Sequence, residues 1–369
     1  MATTTRIEWA DATTNTAVGC SHCSPGCDHC YAERFAHRLS RHPATAKVYA
    51  GVVDSRGKWT GKINSNFSEK MYPHRVPGKG KRVFVGSMTD IFHPNYPAEN
   101  RDELFASIMA DCIFSNGHGH TFIILTKRAQ AMAEYFAAGP NTLLRRWGRA
   151  GNGWIIVGDG DSETFEEYAD AETIPQEMTS TRDNLRQDYL WPLPNLWLGV
   201  TVCNQAEADA KIPVLLATPA EKRFVSVEPM LGPVDLSKYL VRFRCHECGS
   251  ETLKNVENFL CPSCGKEALG SQHFSTALDW VICGGETGSG ARPMNPDWVR
   301  SLRDQCQETT VPFFFKSWGE WSPDCLCGTK KPHPETPRPT PGHMGCMFKC
   351  GKANSGRSID KRTWDEVPQ

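Results

Sequence analysis

The sequence lacks an excess of charge of either sign: 42 acidic side chains stand against 41 basic ones. A whole-molecule field drawing the chain to nucleic acid or to a membrane surface is thereby excluded, and any nucleic-acid contact has to be a local patch. Long apolar runs are also missing. None approaches the ~20 residues of a membrane-spanning helix, so a soluble protein is expected. No apolar leader precedes Cys20, since Met1 to Asp11 is polar and carries Arg6, Glu8 and Trp9. Export is therefore not expected. Sixteen cysteines in such a chain point to metal sites in a reducing cytoplasm rather than to a disulfide framework. At 369 residues the chain is long enough for two domains, or for one α/β barrel with insertions, which runs to ~200–400 residues.

Four of the cysteines, Cys20, Cys23, Cys27 and Cys30, fall within one short stretch near the N-terminus. Thiols this close in sequence can converge on a single soft metal centre. Cys23, Cys27 and Cys30 have the C-x3-C-x2-C spacing by which radical S-adenosylmethionine (SAM) enzymes hold a 4Fe-4S cluster through three thiolates, leaving one iron open to SAM. The four together, as C-x2-C-x3-C-x2-C, also suit a closed tetrahedral zinc site. Both readings stay open on spacing alone.

Beyond the cysteines, Tyr31 to Leu39 reads as a helix with Phe35 and Leu39 on one face. Its N-terminus would favour an anionic thiolate cluster. Residues 41–80, rich in Gly, Pro, Lys and Arg, read as a long loop able to cover the site. A strand-and-helix rhythm follows. Apolar runs at Arg82–Gly86, Thr121–Leu125, Leu196–Val200, Arg223–Val227, Asp279–Cys283 and Val311–Phe315 predict strands, with helices over about 98–113, through Met132 and Phe136, and over about 205–216 and 296–307. A first strand is expected at Thr16–Val18. Continuous apolar strands alternating with helices predict a parallel sheet covered by helices. The fold class expected is α/β, a partial or complete (β/α) TIM-like barrel of the radical SAM type with an inserted zinc ribbon. Polar groups close nearly every strand: Ser87 and Asp90, Lys127 and Arg128, Thr201, Glu228, Gly284-Gly285-Glu286, and Lys316. Singly each reads as a cap or turn; together they predict a shared polar mouth.

Three segments interrupt this rhythm within a barrel assigned to residues 1–321. Residues 139–194, with an acidic run from Asp159 to Glu172, read as a surface insertion. Residues 242–273 carry paired C-x2-C knuckles, Cys245 with Cys248 and Cys261 with Cys264, the pattern of a zinc ribbon. Metal binding supplies ~10 kcal/mol or more to fold so short a module. Residues 322–369 read as a C-terminal tail whose Cys325, Cys327, Cys346 and Cys350 are either free thiols or a further metal site. Cys112, Cys203, Cys283 and Cys306 sit on apolar patterns and read as core residues.

The residues Ile7-Glu8-Trp9, Gly19-Cys20, Ser24-Pro25-Gly26-Cys27 and Cys30-Tyr31-Ala32-Glu33 resemble the phage Gp37/Gp68 (DUF5131) proteins, a radical-SAM-like three-Cys-motif family. The likeness continues through Ser87-Met88-Thr89-Asp90-Ile91-Phe92-His93, Leu125-Thr126-Lys127-Arg128, Leu198-Gly199-Val200-Thr201, Phe224-Val225-Ser226-Val227-Glu228-Pro229, Gly284-Gly285-Glu286 and Lys316-Ser317-Trp318-Gly319-Glu320-Trp321. The resemblance places the cluster ligands at Cys20, Cys27 and Cys30. The additional Cys23 restores the commoner radical SAM spacing, so the third ligand is Cys20 or Cys23. In most radical SAM enzymes a Gly-Gly-Glu group on an early strand holds the SAM amino group. Here it lies late, and Gly284, Gly285 and Glu286, with Lys316, are expected at the substrate.

For SAM, Lys127 or Arg128 is expected to pair the methionine carboxylate, and Ser87, Asp90 and Glu228 to take the ribose or amino group. Each has the alternative of an ion pair or cap within the fold. Trp9, Phe92, His93 and Trp318 are either base-stacking groups or core. The activity implied is cleavage of SAM to a 5'-deoxyadenosyl radical that abstracts hydrogen, fed by an electron donor of flavodoxin or ferredoxin type. The favoured substrate class is a nucleic acid or modified nucleotide. The alternative is a zinc-dependent nucleic-acid-binding or scaffold protein without radical chemistry.

Overall fold

The apolar runs form strands because their side chains supply apolar cover for both faces of a layered sheet. The computed structural model describes residues 3–5, 7–65, 72–115, 119–151, 190–244, 251–253, 274–323 and 347–369. Its main strands are β1 (Thr3–Thr4), β2 (Ala12–Thr14), β3 (Arg82–Val85), β4 (Thr121–Thr126), β5 (Leu196–Val202), β6 (Lys222–Val227), β7 (Val241–Arg244), β8 (Glu251–Leu253), β9 (Phe274–Thr276), β10 (Trp280–Gly284) and β11 (Phe313–Ser317). The main helices are α1 (Tyr31–Leu39), α2 (Ala98–Phe114), α3 (Ala129–Phe136), α4 (Pro140–Ala150), α5 (Gln205–Ala217) and α6 (Pro296–Glu308).

One sheet runs in the order β1-β2-β3-β4-β5-β6-β10-β11. β1 is antiparallel to β2, and the other seven strands are parallel. Their neighbours follow chain order without reversal, whereas a doubly wound sheet would reverse at a switch point. This steady progression is compatible with a partial (β/α) barrel. β7, β8 and β9 form a separate antiparallel sheet. They bracket the knuckle cysteines Cys245, Cys248, Cys261 and Cys264, which lie outside the described residues, as do Cys325, Cys327, Cys346 and the acidic run 159–172.

The chain forms two compact units. The first comprises Met1–Ser24, Cys30–Gly199 and Ala217–Glu221; the second comprises Pro25–His29, Val200–Leu216 and Lys222–Gln369. Within the first, α2 buries Leu104, Phe105, Ile108 and Met109. Phe105 stacks on Trp147 of α4 at 5.2 Å between ring centroids and on Tyr135 of α3 at 5.1 Å. Trp147 Nε1 donates to Tyr135 Oη at 2.7 Å, and Arg146 Nε donates to Asp102 Oδ2 at 2.9 Å.

Residues 140–150 are therefore not part of a surface insertion. Leu143 and Trp147 are fully buried, and the Gly139-Pro140 pair that suggested a boundary instead starts an amphipathic helix, with Pro in its first turn. The expected first strand at Thr16–Val18 also shifts, to Ala12–Thr14. Pairing with β3 ends at Thr14 opposite Val85, because the Asn15 side chain leaves the ladder to accept from Met88 N at 2.8 Å.

Within the second unit, α6 buries Val299, Leu302 and Cys306. Within the expected tail, the stretch Ser358–Glu366 packs back on the strands of this unit. Trp364 and Ile359 are buried, Phe315 N donates to Trp364 O at 2.8 Å, and Trp280 Nε1 donates to Glu366 O at 2.8 Å. Its Lys- and Pro-rich lead-in masks these apolar residues in the sequence. Cys112, Cys203, Cys283 and Cys306 are all buried, as expected of core cysteines. No helix among the described residues is long and apolar enough to cross a membrane.

The packing of α4 generates a test. Trp147→Ala is expected to lower unfolding stability by ~3–5 kcal/mol, as for a large buried aromatic, measured by denaturant titration. A loss within ~0.5 kcal/mol would mark the segment as surface.

Candidate functional site

In the first unit, the end of β2 leads into the cysteine loop, which is fastened by backbone hydrogen bonds. Gly19 N donates to Met88 O at 3.1 Å, and Gly61 N donates to Cys20 O at 3.1 Å. Gly19 takes φ +115° with Lys62 O directly against it, a conformation and a clearance that only glycine meets. The loop ends at Cys30, the N-cap residue of α1.

Two strand ends meet Cys20 and Ser21. Asp90, after β3, accepts four hydrogen bonds: Oδ1 from Phe92 N (3.0 Å) and Thr126 Oγ1 (2.7 Å), and Oδ2 from Lys127 N (3.2 Å) and Arg128 Nη1 (3.0 Å). Arg128, after β4, donates through Nη2 to Ser21 O (2.9 Å) and Ser21 Oγ (3.0 Å), while Nη1 lies 3.8 Å from Cys20 Sγ. Burial alone would lower the Arg128 pKa; Asp90, Cys20 and Cys23 outweigh it and raise it. Burial pushes the Cys20 thiol up to about 11, with Asp90 adding to the rise and Arg128 opposing it.

His93 completes this cluster. Its Nδ1 accepts from Asn95 N at 3.0 Å, so the ring proton sits on Nε2, which donates to Ser21 Oγ at 2.8 Å. Burial takes the His93 pKa down to about 4, helped by Arg128 and opposed by Asp90. The neutral ring is thus the form that orients Ser21. Nearby, Asn15 Nδ2 donates to Ser87 Oγ at 3.0 Å, and Tyr31 Oη donates to Ser87 O at 2.8 Å.

In the second unit, the turn Pro25–Cys27 is held in a parallel manner. Glu286, after β10, is buried. It accepts from Arg292 at three points: N (2.8 Å) and Nε (2.9 Å) on Oε2, and Nη2 (2.6 Å) on Oε1. Arg292 in turn donates to Pro25 O (2.9 Å) and Asp28 Oδ2 (3.2 Å). The bond from Glu286, foremost, raises the Arg292 pKa. Gly26 packs so closely on Cys203 that a Cβ there would lie 2.5 Å from its sulfur. Gly284 lies beside the ion pair between Lys316 Nζ and Glu228 Oε1, 2.6 Å long, and Gly285 N donates to Ser317 O at 2.9 Å.

The sequence-predicted residues therefore divide. Asp90, Arg128 and Glu286, expected at SAM or substrate, direct their polar atoms at the chain itself and position the cysteine loop. Ser87 and Lys127 lie at strand ends of the first unit, and Glu228, Gly284, Gly285 and Lys316 lie at strand ends of the second. Trp9, Phe92, His93 and Trp318 are buried, as core aromatics are. Ser21, Arg292 and Asp28 escaped the sequence reading. The signal for Arg292 is a glycine-rich strand-to-helix loop that begins with an acid, Glu286, and ends with a base.

Among the described residues, no group of three or more His, Cys, Asp or Glu side chains is placed to hold a metal ion. Cys27 is buried, Cys20 and Cys30 are partly exposed and Cys23 is exposed. The four thiols of the loop are donors of the kind a thiophilic metal takes. Residues 4–368 match the family described as "Protein of unknown function (DUF5131)". No curated protein and no solved structure matches the chain.

Two outcomes are expected. Asp90→Ala strands the buried Arg128 charge and should cost ~3–5 kcal/mol of stability by denaturant titration. The His93 ring should stay neutral in the folded protein from pH 8 down towards about 4, followed by NMR titration. Because its folded pKa lies below the unfolded value of 6.5, its contribution to stability is present above pH 6.5 and is lost as pH falls towards about 4.

Proposed function

The chain belongs to the DUF5131 family, and from that premise we propose that it is a radical SAM enzyme whose 4Fe-4S cluster is carried by the loop Cys20–Cys30. Cys27, Cys30 and one of Cys20 or Cys23 are the ligands. When bound, the cluster supplies the electron that breaks a sulfonium C–S bond of SAM. The observation that carries this reading is the anchoring of the loop: Arg128, fixed by Asp90, holds Ser21 and lies on the Cys20 sulfur. A buried guanidinium beside a thiol offsets the charge a metal-bound thiolate would bring.

In each unit, the chain's own residues take distinct parts. Asp90, Thr126 and His93 orient Arg128 and Ser21, and Glu286 orients Arg292 on the Pro25–Cys27 turn. Lys127 is assigned to the methionine carboxylate of SAM and Ser87 to a ribose hydroxyl. Glu228 is assigned to the ribose or amino group of SAM and Lys316 to a polar group of the substrate, beside the side-chain-free backbone of Gly284 and Gly285. Cys245, Cys248, Cys261 and Cys264 are assigned to a structural zinc. A one-electron donor of flavodoxin or ferredoxin type completes the cycle.

Anaerobic reconstitution with iron and sulfide tests the proposal. The protein should turn brown and take up about four irons in the loop, and with reductant and SAM it should release 5'-deoxyadenosine. Cys27→Ala and Cys30→Ala should each abolish iron uptake, whereas only one of Cys20→Ala and Cys23→Ala should do so. A colourless protein that holds zinc at the loop and leaves SAM intact would overturn the reading in favour of a zinc-dependent scaffold.

A further inference from the structure

The outer face of α1 is exposed, aromatic and basic. Tyr31 and Phe35 are 48% and 44% exposed, where large aromatics are ordinarily buried. They lie four residues apart, so their rings share one helix face. Arg34, Arg38, Arg41 and His42 are exposed on the same helical spacing, the helix being prolonged by a turn in which Arg41 N donates to Arg38 O at 3.3 Å. The Arg38 guanidinium rests 4.3 Å from the Phe35 ring centroid, and the Tyr31 hydroxyl is tied to Ser87 O. Both rings are therefore held in place before any partner arrives.

The charge on this face is of one sign. Glu33, the helix's sole acid, is buried and turned inward, accepting from Lys58 Nζ at 2.9 Å and Trp59 N at 2.8 Å and pairing with His22 Nε2 at 2.8 Å. From residue 31 to 65 the chain carries seven basic side chains (Arg34, Arg38, Arg41, Lys47, Arg56, Lys58, Lys62) against two acidic ones (Glu33, Asp54). The chain as a whole is balanced at 41 to 42, so the excess here is local. A structural helix face of this length would be expected to mix the two signs, as surface helices do.

We propose that this face binds single-stranded nucleic acid, its bases stacking on Tyr31 and Phe35 and its phosphates paired by Arg34, Arg38 and Arg41. Aromatic platforms set among guanidinium groups are suited to unpaired bases and a phosphate backbone, and they are poorly matched to a duplex whose bases are already stacked. Because Cys30 is the N-cap residue of α1, a strand lying on this face passes beside Cys30. That it is the substrate of the loop's chemistry rests on the reading given above; that it binds does not.

The test uses the full chain and fluorescein-labelled poly-dT and poly-rU oligonucleotides, with a DNA duplex, anionic phospholipid vesicles and a poly-glutamate peptide as comparisons. Anisotropy should show salt-dependent binding of a single strand in preference to duplex, vesicle and peptide, with the dT and rU arms telling DNA from RNA. Phe35→Ala should weaken binding by about tenfold or more, and Phe35→Trp should restore it. Arg38→Gln should flatten the slope of log affinity against log salt by about 0.7. All three variants should keep the parent melting temperature, since these side chains are exposed.

Binding of the parent to neither single strand, equal binding by Phe35→Ala, or preference for vesicle or peptide would overturn the proposal. Each titration is run on iron-free and iron-reconstituted protein. Strand binding by a chain that takes up no iron would leave this face standing while removing the radical reading. A cluster-bearing chain that ignores both strands would do the reverse.

Discussion

Each flank of the cysteine loop is held by an arginine whose charge is offset by a carboxylate at the end of a parallel strand. In the first unit Asp90 fixes Arg128, which grips Ser21 beside Cys20; in the second, Glu286 fixes Arg292, which grips Pro25 beside Cys27. A loop rich in Gly, Ser and Pro has little internal structure, so fixing its path falls to long-range bonds. Charge-assisted hydrogen bonds are the strongest available for this. The Asp90–Arg128 pair, with both side chains nearly buried, also carries a condition: neither partner can be removed without stranding the other, whereas Arg292 keeps a third of its side chain in solvent.

This constraint accounts for the neighbouring polar groups. Asp90 accepts from Phe92, Thr126, Lys127 and Arg128, which makes it an anchor of its own chain. The neutral His93 is required for the same reason, since a second cation beside Arg128 would be repelled and its Nδ1 would lose the hydrogen bond from Asn95 N. Small residues where the loop meets its supports, Gly19 and Gly26, follow from the same close approach. The basic surface of α1 follows from Glu33 turning inward, which leaves the outward face to arginine and aromatic side chains.

Much of the frame was legible in sequence. The apolar runs at 82–86, 121–125 and 196–200 are long enough and sufficiently rich in β-branched and aromatic residues to be strands, and α1 occupies Tyr31–Leu39 as expected, although Phe35, which the periodicity put on one face with Leu39 and away from the charges, is exposed beside Arg38. Misreadings occurred where local pattern and tertiary role part. Pro140 looked like a breaker and is a helix starter, its Trp147 drawn into the core by Phe105 and Tyr135. Thr16–Val18 looked like a strand, yet the Asn15 side chain diverts the chain before it. Trp364 and Ile359 were hidden behind a Pro-rich lead-in that says nothing about what the last residues pack against.

By itself the sequence determined a parallel sheet, the helices between its strands, and four thiols gathered in one loop, because these depend on periodicity and on spacing over a few residues. Only the tertiary structure decided which polar strand ends are anchors. Arg128 reaches Ser21 across 107 residues and Arg292 reaches Pro25 across 267. Over such separations a charged residue at a strand end looks the same whether it awaits a ligand or already holds its own chain. The difference lies in where its hydrogen bonds go, which only the folded positions of both partners fix.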